Sequence, residues 1–247
     1  HEGSHIKLSD FNFLRNLENN IPTQYFEHGE KKGYSKFQVL GHVKNLLNYV
    51  EDRRIDNYVF TTSPGYKGYY HSMYEKYFYS KIVDKALTST EYTEENMESY
   101  MFRIINLTNK NTNLDALNGL RQIWKDLDIK NIGVLGNTQL AFNVALNIYS
   151  TILDNLKDGI EETDENGEVT TKPNDESNGS GESTEGGNGD SKELSDGEFE
   201  RLKDAMSSGD VKRGHSDGSD IQLTDRQKKQ LENAIAKQEK FMNGDIQ

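Results

Sequence analysis

The sequence predicts a mainly α-helical protein, and three observations support this fold class. Apolar residues recur at spacings of three and four through residues 1–158, and no stretch alternates apolar and polar residues over a useful strand length. That region also holds all thirteen tyrosines and the single tryptophan, Trp124, so we expect the hydrophobic core to form there. After Gly159 the apolar repeat is lost, and Gly, Ser, Asn, Asp and Glu dominate.

Two long helices are predicted first along the chain. Residues 37–60 contain a helical repeat of apolar side chains, formed by Val39, Leu40, Val43, Leu46, Leu47, Val50 and Tyr58. The stretch TTSPG, residues 61–65, ends this helix because Pro and Gly disfavour its continuation. A second helix is predicted over residues 66–87, where Tyr, Met, Phe, Ile and Val recur at mixed spacings of three and four.

Three further helices are predicted from the residues that could begin and end them. Thr93 is a candidate N-cap, and the two acidic residues after it suit a first helical turn. Asn113 and Asn137 are candidate N-caps of the next two helices, and Gly159 is a candidate stop. Together these elements define a helical domain over residues 1–158.

An acidic linker is predicted over residues 159–194. Between residues 161 and 196 there are twelve acidic residues and two lysines, so this segment carries most of the net charge of −12. Such a composition buries too little apolar surface to offset the entropy of ordering, and we therefore expect disorder.

The remaining segment, residues 195–247, is predicted to hold two short helices. Ser195 and Thr224 are their candidate N-caps. The second helix has too few apolar residues to fold alone, so we expect it to pack on, or lead into, another structure.

Charge and composition exclude several classes of function. The chain outside the acidic segment is nearly neutral and has no basic stripe, which argues against nucleic-acid binding as the main activity. No run of about 18 apolar residues is present, so no membrane span is expected. The absence of cysteine excludes disulfides and thiolate ligands and fits a reducing cytoplasm, which is the expected location.

The first five residues, HEGSH, match the pattern HExxH. On a helix this pattern places His1 and His5 on one face, where both imidazoles can bind one Zn²⁺, and Glu2 is then the general base. Zinc makes this chemistry feasible near neutral pH because it lowers the pKa of bound water from about 16 to about 7. A chance match and a remnant of tag cleavage are the alternative interpretations of these five letters.

A third metal ligand is predicted on the helix over residues 37–60. With 100° per residue, Glu51 and Arg54 fall at about 20° and 320°, on the apolar face at about 280–360°. Asp52 and Asp56 fall at about 120° and 160° on the same wheel, so we expect them to face solvent. If the Glu51 carboxylate is buried, it either forms an ion pair, for example with Arg54, or binds a metal ion. In the second case Arg54 would orient Glu51 through a hydrogen bond. The HExxH upstream favours Glu51 as a ligand, and Asp52 remains the alternative.

Tyr69, Tyr70 and His71 are candidates for a supporting role. A Tyr hydroxyl or a His commonly stabilises the oxyanion in zinc peptidases. The alternative is that a Tyr-rich helix is ordinary amphipathic core. Two other histidines, His28 and His42, are expected to be exposed and without a functional role.

These residues carry a resemblance to a known family. HEGSH, followed by LLNYVEDRRIDNYVF and SPGYKGYYHSMYEKYF, resembles zinc metallopeptidase-like proteins, many encoded by bacteriophages, in which a helical HExxH domain precedes an acidic linker and a von Willebrand factor A-like domain. The NxxEDxRxD pattern is also similar to a helix of the cobaltochelatase subunit that carries such an A domain. The resemblance covers roughly residues 1–80.

The resemblance implies a zincin-like domain with a gluzincin-type site. Its zinc ligands would be His1, His5 and Glu51, its catalytic residue Glu2, and its substrate a peptide or protein; the location would be the host cytoplasm for a phage protein. The family has residues, and a small sheet, before the HExxH helix, and an A domain with a DxSxS motif, and neither is found in this sequence. We therefore expect an internal piece of a longer protein, with weak or no activity in this fragment.

Two hypotheses of function follow. The first is a zinc-dependent peptidase that hydrolyses peptide bonds through metal-activated water. The alternative is a non-catalytic helical adaptor, linked to an A-type domain and working with an ATPase partner, as the resemblance to the chelatase subunit implies.

Overall fold

The computed structural model describes residues 2–163, 169–174 and 222–242, except for the side chain of Glu2. All of these residues belong to one compact unit that combines residues 1–175 with 220–247. The described fold is mainly helical, as predicted. Its helices are α1 (Glu2–Leu8), α2 (Phe11–Arg15), α3 (Leu17–Asn20), α4 (Thr23–Lys31), α5 (Lys36–Thr62), α6 (Lys67–Tyr77), α7 (Lys81–Leu87), α8 (Met97–Ile105), α9 (Leu120–Leu127), α10 (Thr138–Asn155) and α11 (Asp225–Met242), with 3₁₀ turns at Pro64–Tyr66 and Ile129–Val134.

The long helix α5 lies at the centre of the fold. It begins with a capping box, in which Ser35 accepts a hydrogen bond from the Gln38 backbone and the Gln38 side chain accepts one from the Ser35 backbone. Helices α1, α3, α4, α10 and α11 and the two 3₁₀ turns all contact it. The middle of α5 therefore has no solvent face.

Two residues predicted to face solvent are buried for this reason. Asp52 is 3% exposed and Asp56 is 4% exposed. The prediction from the helical wheel assumed that one face of the helix is buried and the other is exposed to solvent. In the structure, neighbouring elements cover α5 on all sides from Glu51 to Asp56. The inward positions predicted for Glu51 and Arg54 are confirmed, since both are buried.

The helix predicted over residues 66–87 is broken into α6 and α7. Phe78 is 1% exposed and packs against Tyr74, and its carbonyl accepts a hydrogen bond from Asn109 Nδ2 at 3.1 Å. Ser80 then adopts an extended backbone before α7 begins. The break is thus stabilised by tertiary contacts that the local sequence does not reveal.

Of the three predicted N-caps in the helical domain, one is confirmed. Asn137 accepts a hydrogen bond from the Leu140 backbone at 3.0 Å, at the start of α10. Helix α8 is instead capped by Asn96 rather than Thr93. Asn113 accepts a hydrogen bond from the Asp115 backbone in a local turn, and α9 begins later, after the left-handed Gly119.

The end of the helical domain also differs from the prediction. Helix α10 ends at Asn155, before the predicted stop at Gly159, whose N–H donates to the Lys31 carbonyl at 2.9 Å. An antiparallel hairpin follows, in which β1 (Ile160–Thr163) pairs with β2 (Val169–Lys172). We expected these residues to be part of the disordered linker. Both strands are exposed and bury little, so a prediction based on apolar burial misses them. Residues 175–194 of the predicted linker, and the helix predicted from Ser195, lie outside the described residues.

Helix α11 packs against the first part of the chain. Its Leu231 is 2% exposed and lies in a cluster with Val83, Leu87 and Phe102. Gln238 is fully buried, and its side-chain amide exchanges hydrogen bonds with that of Asn106 and donates to the Tyr77 carbonyl. The expectation that this helix needs a packing partner is confirmed, and the partner is in the same chain. No helix among the described residues is both long and apolar enough to cross a membrane.

Candidate metal centre

The described part of the HExxH segment, from Glu2 to His5, is helical, and α1 contacts α5. Three contacts hold the two helices together. His5 Nε2 is 3.2 Å from Asp52 Oδ1, and Arg54 Nη2 donates to the Leu8 carbonyl at 3.0 Å. Lys7 Nζ donates to the Tyr58 hydroxyl at 2.9 Å. Helix α1 therefore lies directly against the charged segment EDRRID of α5, residues 51–56.

His5 is oriented from both sides of its ring. Nε2 faces Asp52, and Nδ1 is 3.1 Å from Ser9 Oγ, one turn further along the chain. The His5 side chain keeps 20% of its surface exposed, whereas that of Asp52 keeps 4%. In metal-binding histidines, one ring nitrogen usually binds the metal and the other forms a hydrogen bond that fixes the ring. In His5 the hydrogen bond to Ser9 would fix the ring in this way, with Nε2 directed toward Asp52.

Glu51 is engaged by Arg54. Its Oε2 atom accepts hydrogen bonds from Arg54 Nε at 3.0 Å and from Arg54 Nη2 at 2.5 Å. Its Oε1 atom is buried and has no hydrogen-bond partner among the described residues. The ion pair that the sequence left open is thus present, and the same side chain also has a buried acceptor atom left over.

Only part of the predicted ligand set can be placed. His1 and the side chain of Glu2 lie outside the described residues. Among the residues that are described, no three His, Asp or Glu side chains converge as a metal site would require. The contact of His5 recorded across the two helices is with Asp52, the alternative third ligand, whereas Glu51 faces Arg54.

The His5–Asp52 pair has the chemistry and spacing of two zinc ligands. Zinc takes imidazole nitrogen and carboxylate oxygen at about 2.0–2.2 Å in a tetrahedral site, which puts neighbouring ligand atoms about 3.3 Å apart. The separation of 3.2 Å is close to this edge, and it is also the length of an imidazole–carboxylate hydrogen bond. Imidazole and carboxylate are the ligand types that zinc takes, but two described ligands fall short of the four that a zinc site needs.

The residues proposed for a supporting role are not gathered around His5. Tyr69 is 74% exposed, and His71 is exposed and lies 3.5 Å from Glu75. Tyr70 is buried and packs edge-on against Phe60. Arg54, the other proposed support, contacts α1 through the Leu8 carbonyl.

Sequence reasoning missed a second polar group on α5. Asp56 accepts a short hydrogen bond from the Tyr74 hydroxyl and lies 3.5 Å from Arg53 Nη2. The Arg53 guanidinium lies over the rings of Tyr49 and Tyr74, 5.3 and 4.7 Å from their centroids. Burial is the main cause of the raised pKa of Tyr74, which keeps its hydroxyl protonated as a donor. Five ionisable residues within six consecutive positions of one helix were the signal that could have indicated this group.

His42 is another residue that the sequence misplaced. It is partly buried rather than exposed, with its ring edge-on to Tyr34 and its Nδ1 atom 3.4 Å from the Tyr149 hydroxyl. Burial lowers the pKa of His42 to about 4. His28 lies on α4, 3.8 Å from Asp154, and takes no part in the centre.

Comparisons with protein-family models, curated proteins and solved structures found no match for this chain.

Proposed function

We propose that α1 and α5 together form a zinc site and that the protein is a metal-dependent hydrolase of peptide bonds. The observation that carries this proposal is the contact of His5, within a helical HExxH motif, with the buried Asp52. A partly exposed imidazole facing a buried carboxylate, in a sequence motif that adds a further His and a Glu, supplies the residue types of a catalytic zinc site.

The proposed roles follow from the position of each residue. His5 would provide an imidazole ligand from α1 and Asp52 a carboxylate from α5, and the HExxH pattern adds His1 as the second imidazole. Zinc bound there would supply a water of lowered pKa and polarise the substrate carbonyl. The Glu2 carboxylate, between the two histidines in sequence, would accept the proton from that water.

Asp52 replaces Glu51 as the preferred carboxylate ligand. Glu51 Oε2 is held by two hydrogen bonds from Arg54, and Arg54 also binds the Leu8 carbonyl at the end of α1. Glu51 and Arg54 therefore act as positioning residues that fix α1 on α5. The unsatisfied Oε1 atom supports the original assignment of Glu51, so both carboxylates belong in the test.

Zinc content of purified protein tests the site. After incubation with zinc and removal of excess metal, we expect about one zinc per wild-type chain and at least a tenfold lower content in His5→Gln and Asp52→Asn. Glu51→Gln should retain zinc if Asp52 is the ligand. His28→Ala is the matched control, because His28 lies outside the centre, and circular dichroism should confirm that each variant is folded. Wild-type protein without zinc, or unchanged zinc in His5→Gln, would refute the site.

Glu2→Gln then separates an enzyme from a metal-binding scaffold. This change keeps the size of the side chain but removes its capacity to accept a proton, so we expect zinc to stay bound. Hydrolysis of an unstructured substrate such as casein should fall at least a hundredfold. Equal hydrolysis by wild type and Glu2→Gln would exclude the catalytic role.

The second candidate is a non-catalytic adaptor that works with an ATPase partner and an A-type domain. The observation in its favour is that buried charges of α5 have partners within the chain, namely Glu51 with Arg54 and Asp56 with Arg53. Such a group can be purely structural. A folded wild-type protein that binds no zinc and cleaves no peptide would favour this candidate.

A further inference from the structure

We propose that the protein has a binding site for a carboxylic acid with an apolar body, centred on Arg53. The site is a cavity of about 490 Å³ between α5, α6 and the 3₁₀ turn Ile129–Val134. Its size is in the range typical of small-molecule sites. No residue of α1 is among the described residues that line it, so this inference does not depend on the proposed zinc site.

Arg53 differs from the other buried arginines in its hydrogen bonding. Arg103 is fully buried and donates to three backbone carbonyls, and Arg54 donates to Glu51 and Leu8. Arg53 is 7% exposed, its Nε atom has no hydrogen-bond partner among the described residues, and its ion-pair contact with Asp56 is long, at 3.5 Å. The buried Nε atom of Arg53 thus lacks a hydrogen-bond partner among the described residues, while Asp56 and the rings of Tyr49 and Tyr74 engage the guanidinium. Arg53 is the one of the three that lines this cavity.

The charges lining the cavity leave a positive excess. Arg53 and Lys67 are balanced by one carboxylate, Asp56, which also accepts the hydrogen bond from Tyr74. The ring of His71 is already 3.5 Å from Glu75. Asp52 also interacts with Arg53 from outside the lining. The lining residues therefore offer an added carboxylate the Arg53 guanidinium and the Lys67 ammonium. A guanidinium binds a carboxylate through two parallel hydrogen bonds, and Lys67 can add a third from the rim.

The rest of the wall favours a ligand with an apolar body. Phe60, Ile129 and Ile132 line the cavity beside Arg53. The Tyr79 hydroxyl is also at the wall, and it is 3.3 Å from Thr108 Oγ1. An inorganic anion would leave the apolar part of this cavity unfilled, whereas an aryl or alkyl carboxylic acid would fill both parts.

Calorimetric titration of the full chain with 3-phenylpropionate tests the proposal. The uncharged 3-phenylpropanamide has nearly the same shape and serves as the matched ligand control. Because a charge-assisted hydrogen bond to Arg53 is lost with the amide, we expect the acid to bind at least about tenfold more tightly. Inorganic phosphate should bind more weakly than the acid.

Two variants locate the binding in this cavity. Lys67→Met lies at the exposed rim, where folding is not at risk, and should weaken binding about threefold or more. Arg53→Lys keeps the charge but removes the planar fork, and should weaken binding at least about tenfold. Lys76→Met is the control, because Lys76 is on the same helix and does not line the cavity.

The proposal can be refuted with the wild-type protein and the Lys67 and Lys76 variants alone, so it stays testable even if Arg53→Lys fails to fold. Equal affinities for the acid and the amide, no binding of the acid at millimolar concentration, or equal loss in Lys67→Met and Lys76→Met would each refute it. Tighter binding of phosphate than of 3-phenylpropionate would refute the apolar part of the ligand assignment.

Discussion

Six consecutive residues of α5, from Glu51 to Asp56, are buried, and five of them are ionisable. At this scale the structure is governed by the need of each buried charge for a partner. Glu51 has Arg54, Asp52 has His5, and Asp56 has Tyr74 and Arg53. Removal of one partner leaves a buried charge without compensation, which is more damaging than replacement of both.

His42 provides a residue-scale prediction about acid stability. Its folded-state pKa is lowered to about 4 from the ordinary value of 6.5, so the unfolded chain binds the proton more tightly than the folded one. Neutral His42 therefore contributes to the free energy of unfolding, and this contribution is fully present above pH 6.5 and is lost as the pH falls toward about 4. It amounts to at most about 3 kcal/mol. Urea unfolding between pH 4 and 7.5 measures this loss.

The control for this prediction is His42→Gln. This variant does not titrate in that range, so its free energy of unfolding should fall less steeply between pH 6.5 and 4 than that of the wild type. Parallel slopes for the two proteins would show that His42 is not the titrating group, since other histidines and carboxylates are common to both.

The helical wheel predicted the burial of two candidate site residues correctly but missed the burial of two others. Glu51 and Arg54 fall on the apolar arc of the helical wheel and are buried. Asp52 and Asp56 fall on the opposite arc and are buried too, because the wheel contains no information on which elements cover the far side of α5. The pairing of His5 with Asp52 joins residues 47 positions apart, and no local pattern determines it.

Helix caps give a prediction at the scale of elements. Asn137 precedes an 18-residue helix and accepts a hydrogen bond from the Leu140 backbone. Asn137→Ala removes this bond and should lower the free energy of unfolding by about 1 kcal/mol. In a unit of this size the corresponding fall in melting temperature is about 2–4 °C.

Asn137→Asp is the matched variant, because a carboxylate can accept the same hydrogen bond and interacts favourably with the helix N-terminus. It should retain the wild-type melting temperature within about 1 °C. If Asn137→Asp destabilised the protein as much as Asn137→Ala, the effect could not be assigned to the cap.

Among the elements, those with a long apolar repeat were predictable and the short ones were not. Helices α5 and α10 extend close to their predicted residues because each repeats its apolar positions over several turns. Helices α2, α3 and α4 have nine residues or fewer, too short for a periodic signal, and are stabilised by packing against neighbours. The cap of α8 is Asn96, three residues after the predicted Thr93, and α9 begins after Gly119 because Asn113 forms a local turn instead.

The packing of α11 determines the behaviour of the whole described unit. Leu231 is buried against residues of α7 and α8, and Phe241 contacts the rings of Tyr77 and Phe78. We expect Leu231→Ala to lower the free energy of unfolding by about 2–4 kcal/mol, since it removes a buried side chain from this cluster. Chemical unfolding followed by far-ultraviolet circular dichroism provides the measurement.

Trp124 fluorescence reports whether this effect is shared by the entire unit. Trp124 lies on α9, in a different hydrophobic cluster from Leu231. One cooperative unit predicts that Leu231→Ala shifts the fluorescence and dichroism midpoints together. Lys229→Ala, at an exposed position of the same helix, should shift neither. Separate midpoints in Leu231→Ala would show that α11 unfolds independently.

The position of α11 also has a consequence for synthesis on the ribosome. The surfaces of α7 and α8 that α11 covers are complete once residue 105 has been made, but α11 is complete only at residue 242. At ordinary translation rates this interval is on the order of ten seconds. During that time Val83, Leu87 and Phe102 lack their contacts with α11. We expect the charges of the acidic segment, which is added in the same interval, to oppose aggregation between neighbouring nascent chains by mutual repulsion.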